Sequence, residues 1–161
     1  MIKKIIYFLS FLVLSSGTIS GQVFTKIFTN GDTIYSAGTC YVARAIYFKL
    51  DKAVLDTSSN ATLDSMAVFL KSHDSLVIEI GVHGSTHNVA TDCSRITQGR
   101  AKTIYDYLEA KGVQPQRMVP KGYGQHKLLY SDTEIKKHDK KTQAILNQRN
   151  RRVEFRMLSK K

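Results

Sequence analysis

The chain has 161 residues, with 24 Lys and Arg against 13 Asp and Glu, a formal charge of +11 and only two cysteines. The length suits one domain with a core of its own. The excess of basic charge favours anionic partners, and two cysteines are too few for a closed zinc site without further ligands.

Residues 1–21 read as a secretory signal peptide. Lys3 and Lys4 form a basic start, Ile5 to Leu14 is an apolar run of ten broken only by Ser10, and small residues follow from Ser15 to Gly21. The run is too short and wrongly flanked for a spanning helix. Export argues against nucleic acid as a partner, and no later stretch is apolar enough to span a bilayer. Removing the charges of Lys3 and Lys4 leaves +9 on the remainder. Much of it lies towards the C-terminus (Lys136, Lys137, Lys140, Lys141, Arg149), where a solvated charged face is the ordinary explanation.

Residues 22–45 form an N-terminal arm or edge strand, with a turn signal at Asn30-Gly31-Asp32. Cys40 to Leu50 is rich in β-branched and aromatic residues and predicts a strand. Asp56, Thr57 or Ser58 caps a helix in which Leu63, Met66, Ala67 and Leu70 share one face. A strand over Leu76–Ile80 leads into a polar loop. A second helix runs roughly over 94–111, its inner face made by Ala101, Ile104 and Leu108, and stops at Gly112 ahead of Pro115. A third strand spans Arg117 to Tyr123. Ser131 to Leu146 is polar, Lys-rich and helical in part. The last strand, Arg152 to Leu158, alternates Val153, Phe155 and Met157 with Glu154 and Arg156. This order, β-α-β-α-β-(α)-β, predicts an α/β two-layer sandwich with a mixed sheet backed by helices.

No nucleophile elbow, P-loop, dinucleotide fingerprint or HExxH motif is present, and no carboxylate pair suggests acid–base chemistry, so no enzymatic activity and no cofactor are expected. His83, His87, Asp92 and Cys93 lie close in sequence but match no closed zinc pattern. Cys40 and Cys93 are candidates for a disulfide in an oxidising compartment, provided the fold brings them within bridging distance. The stretch from Gly81 to Gly112 gathers hydroxyls, backbone N–H groups and the guanidinium of Arg100 near one spot, the chemistry of holding a small carboxylate.

Several blocks, in order, carry a resemblance. They are Phe48-Lys49-Leu50-Asp51, Val82-His83-Gly84-Ser85 after a strand, Arg95 to Ala101 at a helix start, Lys121-Gly122-Tyr123-Gly124, and Asn150-Arg151-Arg152-Val153-Glu154-Phe155. Residues 46–161 resemble the OmpA-like peptidoglycan-binding domain, and the long insert before Asn150 is similar to versions in Bacteroidetes-type members. The resemblance implies a non-catalytic periplasmic domain that binds the diaminopimelate of peptidoglycan stems. In that family an Arg takes the ligand's carboxylate and an Asp takes its ammonium. Arg100 matches the Arg; Ser85 stands where the Asp is usual, and Gly84 replaces the usual Thr. Asp51 or Asp92 is then a candidate for the missing charge.

The resemblance also places Thr97 beside Arg100. Asn150 and Arg151 either touch ligand or fix the start of the last strand, and His83 is either a contact or a hydrogen-bonded structural histidine. Two functions follow as expectations: altered or weakened peptidoglycan binding, or a structural subunit of an envelope secretion or motility complex. Either gives peripheral association with the outer membrane through a partner.

Overall fold

The computed structural model describes residues 37–86 and 90–160; the signal segment and residues 22–36 of the arm lie outside them. Strand β1 (Cys40–Ala43) opens the fold. A single 3-10 turn over Thr57–Ser59 leads into helix α1 (Asn60–Ser72). Strand β2 (Leu76–His83), helix α2 (Ala90–Ala110) and strand β3 (Met118–Gly124) follow. The short helix α3 (Asp132–Ile135) and helix α4 (Lys140–Asn150) precede strand β4 (Val153–Lys160). The strands form one mixed sheet in the order β1-β4-β2-β3. β2 runs parallel to β3 and antiparallel to β4, and β4 is antiparallel to β1.

The expected α/β sandwich is what the chain forms, with α2 beginning at Ala90, a turn earlier than expected, and two further differences in extent. The strand expected over 40–50 is confined to Cys40–Ala43. The chain then turns, and Phe48 makes an isolated antiparallel bridge with Leu55. Lys49 N–H donates to the Val54 carbonyl and Lys52 N–H to Lys49, which closes a small hairpin with Asp51 at its tip in the left-handed region (φ 50°). Asp tolerates that region better than most residues. The second difference is β2, which continues past Ile80 to His83 because β3 and β4 both pair with it beyond that point.

The 3-10 turn, α3 and α4 start where short polar side chains accept orphan N–H groups. Asp56 accepts from Ser58 N–H, Ser131 from Glu134 N–H, and Asp139 from Lys141 and Thr142 N–H. Ser59 is fully buried, and its hydroxyl bonds both the N–H (2.8 Å) and the carbonyl (3.0 Å) of Tyr47. It ties the start of α1 to the chain leaving β1.

The core is the apolar layer between the sheet and α1 with α2. Leu63, Met66 and Leu70 of α1 and Ala101, Ile104 and Leu108 of α2 meet Ile78, Ile80, Phe155 and Met157 of the sheet. Full burial of each large side chain contributes about 1.5–3 kcal/mol. Arg117, only 5% exposed, clamps one end of this layer. Its Nε donates to Leu76 O (2.9 Å), and its Nη2 donates to Leu70 O and His73 O (both 2.7 Å). One buried cation thus satisfies carbonyls at the C-terminus of α1 and at the start of β2.

Helix α2 lies directly on the backbone of β3. A methyl group at Gly122 would sit 2.5 Å from Gln98 Cα and closer still to its N. The Gln98 side chain accepts from Gly122 N–H (2.7 Å), and the Thr97 hydroxyl accepts from Gly124 N–H (3.0 Å). Helix backbone cannot retreat here without breaking these bonds. Gly122→Ala is therefore expected to destabilise the fold by about 2 kcal/mol or more, read as a lower urea midpoint. An unchanged midpoint would mean that the helix can lift from the strand freely.

Candidate functional site

The exit of β2 continues through Gly84, Ser85 and Thr86, and each of these residues is held. Gly84 N–H donates to Gly124 O (2.7 Å). The Ser85 carbonyl accepts from the Gln125 amide (2.8 Å), and its hydroxyl accepts from Arg151 Nη1 (3.1 Å). Thr86 donates through both N–H (3.2 Å) and hydroxyl (3.0 Å) to Asn147 Oδ1 of α4. A Cβ at Gly84 would collide with the sulfur of Cys93, which is buried in the first turns of α2. Burial pushes the Cys93 thiol up, against a backbone hydrogen bond with Ser85 and the charge of Arg100.

Arg100 reaches the same region from α2. Its Nε donates to Lys52 O (3.0 Å), and its guanidinium lies over the Phe48 ring, 4.9 Å from the centroid. The 48–55 hairpin therefore sets its direction. Burial lowers its pKa and the nearby Arg151 acts the same way, while Asp51 and Cys93 act against them. Arg100 stays cationic at neutral pH. The structure thus brings Arg100, Arg151, Ser85 and Asp51 into one electrostatic neighbourhood, with two guanidiniums and one exposed carboxylate. Such a corner suits a carboxylate ligand.

Three of the anticipated residues have other occupations. Thr97 is 2% exposed, and its hydroxyl bonds the Cys93 carbonyl (2.8 Å) and Gly124 N–H. It fastens α2 to β3. Asn150 is fully buried; its Oδ1 accepts from Leu129 (2.8 Å) and Tyr130 (3.0 Å) N–H, and its Nδ2 donates to Tyr130 O (2.9 Å). It pins the segment before α3 to the end of α4. His83, 2% exposed, points to the other side of the sheet and stacks on Tyr123 with centroids 4.7 Å apart.

Cys40 and Cys93 are both free. Cys40 is exposed in register with Arg156 on the edge strand, whereas Cys93 is directed at Gly84, so the fold does not join them. Among the described residues, no group of three or more His, Cys, Asp and Glu could hold a metal, and no helix is long and apolar enough to cross a membrane. His87 and the side chain of Asp92 lie outside the described residues.

Sequence reasoning missed Gln125 and Asn147, which hold the loop, and the ionic cluster behind His83. There Arg152 Nε meets Glu154 Oε1 (2.6 Å), and Arg156 Nη2 stands 3.4 Å from Glu154 Oε2. Tyr123 donates to Glu79 (2.7 Å). Burial, then this bond, raises the Tyr123 pKa to about 12. Burial alone would raise Glu154, but Arg152 holds it below the usual carboxylate value. The Glu154–x–Arg156 alternation on β4 was the only signal for this cluster.

His83 Nε2 is 3.3 Å from Glu154 Oε2, but neither ring nitrogen makes an aligned hydrogen bond. Burial, then the charge of Arg152, lowers the His83 pKa from 6.5 to about 4. Between those values the unfolded chain binds a proton that the folded chain refuses. Stability is therefore lost as pH falls from about 6.5 towards 4, at up to about 1.4 kcal/mol per pH unit. Urea unfolding at pH 7, 5.5 and 4.5 should show wild type losing more than His83→Gln over that window. Parallel curves would place the acid sensitivity elsewhere.

The contact between Gly84 and Cys93 has its own test. Gly84→Ala should cost about 1–3 kcal/mol, and much of the loss should return in Gly84→Ala with Cys93→Ala, because the second change removes the atom in collision. Strict additivity of the two changes would show that the loop moves instead.

Compared with known families, residues 47–142, more than half of the chain, match the OmpA family. No curated protein matches the chain. Among solved structures, the chain is similar to the peptidoglycan-associated lipoprotein from Burkholderia pseudomallei (24% identity, 70% of this chain and 87% of that one, TM-score 0.57). It is also similar to a putative MotB-like protein from Desulfovibrio vulgaris (16%, 87% of each chain, TM-score 0.64). A third likeness is to the cell wall anchor of the type VI secretion system from Pseudomonas aeruginosa (18%, 75% and 80%, TM-score 0.59). At these identities the likenesses establish the mixed sheet with its helices.

Proposed function

The chain belongs to the OmpA family, and on that premise we propose that it is a non-catalytic, exported module of the cell envelope that binds a carboxylate of the peptidoglycan stem. The observation that carries this reading is the placement of Arg100. Packing on Phe48 and a bond to Lys52 O fix its guanidinium against the 48–55 hairpin, within electrostatic reach of Arg151, which itself donates to Ser85. A guanidinium fixed in this way loses little entropy on meeting a carboxylate. The names of the similar structures, a peptidoglycan-associated lipoprotein and a cell wall anchor, favour the same ligand class.

Ser85 tempers the affinity. A hydroxyl brings no charge, and one charge-assisted hydrogen bond fewer costs about 1.5–3 kcal/mol, roughly ten- to hundredfold in binding. That observation supports a second reading, in which the domain is a structural subunit of an envelope secretion or motility assembly. Likenesses to a MotB-like protein and a secretion-system anchor fit it equally.

Sedimentation with purified sacculi separates the two. Wild type should co-sediment above background, and Arg100→Ala should lose binding about ten- to hundredfold while keeping a wild-type circular dichroism spectrum. Wild type and Arg100→Ala remaining together at background would leave the subunit reading.

A further inference from the structure

The insert between β3 and β4 carries charge that wall binding does not use. In α4 the side chains divide between two faces. Thr142, Gln143, Leu146, Asn147 and Asn150 are buried or half-buried, whereas Lys140, Lys141, Ala144, Ile145, Gln148 and Arg149 are exposed. The exposed set recurs at i, i+3 and i+4, so it forms one side of the helix. Asn147 ties the opposite side to Thr86, and Asn150 ties it to Leu129 and Tyr130. These bonds hold the exposed face outward.

Every charge on that face is positive. The acids next to it are engaged. Asp139 accepts from Lys141 and Thr142 N–H and from the Thr142 hydroxyl (2.7 Å), and Asp132 pairs with Lys136. Glu134 lies one element back, on α3. Lys137, exposed in the turn before α4, adds a further cation. Apolar groups stand among these charges. Ile145, 42% exposed, is one turn from Lys141 on one side and from Arg149 on the other. Arg149 Nη1 reaches the Tyr130 hydroxyl (3.2 Å), which brings the face up to Leu129, 56% exposed.

Solvation suffices for scattered lysines. A fixed face in which cations flank outward apolar groups, with no acid among them, matches a lipid surface better: headgroup phosphates take the cations, and the layer beneath takes the apolar side chains. We propose that the exposed face of α4, with Lys137 and Leu129 at its ends, docks on a bilayer bearing anionic phospholipid headgroups. Among the described residues no helix is long and apolar enough to cross a membrane, so this contact is peripheral. An acidic protein would satisfy the lysines and leave Ile145 and Leu129 unexplained. Arg100 lies on α2, outside this face, so the inference is separate from the wall-binding reading.

The test is co-sedimentation of residues 22–161, which hold the whole described fold, with vesicles of phosphatidylcholine alone or of equal parts phosphatidylcholine and phosphatidylglycerol. Wild type should sediment with the anionic vesicles at about 0.1 M salt and be released at about 0.5 M. A lysine at such a surface contributes about fivefold in affinity, so Lys137→Gln, Lys140→Gln and Lys141→Gln combined should weaken binding about hundredfold. The same loss of charge made on the helix layer, at Lys71, Lys102 and Lys111, should cost no more than about threefold, because charges remote from the contact are screened. Both triple variants should keep the wild-type circular dichroism spectrum. No sedimentation with anionic vesicles, equal sedimentation with neutral ones, or equal losses in the two triple variants each overturns the proposal. Capture by polyglutamate with none by vesicles also overturns it, in favour of an acidic protein.

Discussion

The close seating of α2 on β3 is the constraint on which the site depends. Gly122 lets the helix backbone approach the strand backbone, and Gln98 and Thr97 close the gap with hydrogen bonds to Gly122 and Gly124. With that seating fixed, helical spacing fixes Arg100 one turn beyond Thr97. A larger residue on the strand would lift the helix and move the guanidinium relative to Ser85. Thr97 belongs to this seating, which explains why a hydroxyl at a motif position is buried under the site instead of lining it.

The loop depends on a second close approach. Gly84 leaves room for the Cys93 sulfur, and Gly84 N–H reaches Gly124 O. The first turns of α2 thereby hold both β3 and the loop that ends β2. On the other side of the sheet, His83, Glu79, Tyr123 and Glu154 form a buried polar layer with Arg152 and the partly exposed Arg156. Removing one partner from such a layer exposes the rest to desolvation without compensation. The layer makes the end of β2 rigid, and the loop springs from that end.

Much of this was legible in the sequence because periodicity survives tertiary context. The stripe Leu63, Met66, Ala67, Leu70 and the alternation Val153, Phe155, Met157 located α1 and β4 and their inward faces. Arg100 and Ser85 were singled out through motif spacing alone. The length of β2 was not, since Val82-His83-Gly84 resembles the start of a loop until β3 and β4 are seen to pair with it. Polar residues were the hardest to place. Thr97, Asn150 and His83 are compatible with a ligand surface by residue type, yet all three are buried, and so is Ser85, at 5% exposed. Asn147 sits in a Lys-rich stretch with no apolar stripe, yet it is 1% exposed and anchors Thr86.

The role of Arg151 follows from the same reasoning. A carboxylate at position 85 would form an ion pair with Arg151, and the pair would keep acceptor oxygens to offer a cation. With serine there, Arg151 donates to the hydroxyl oxygen at 3.1 Å, and the neutral hydroxyl keeps one donor and one lone pair but no charge. Gln125, Asn147 and Gly84 hold the backbone in place around that side chain. Three independent anchors, Gln125 on the Ser85 carbonyl, Asn147 on Thr86 and the Gly124 carbonyl on Gly84 N–H, therefore fix the course of this loop without any contribution from a charged group at position 85.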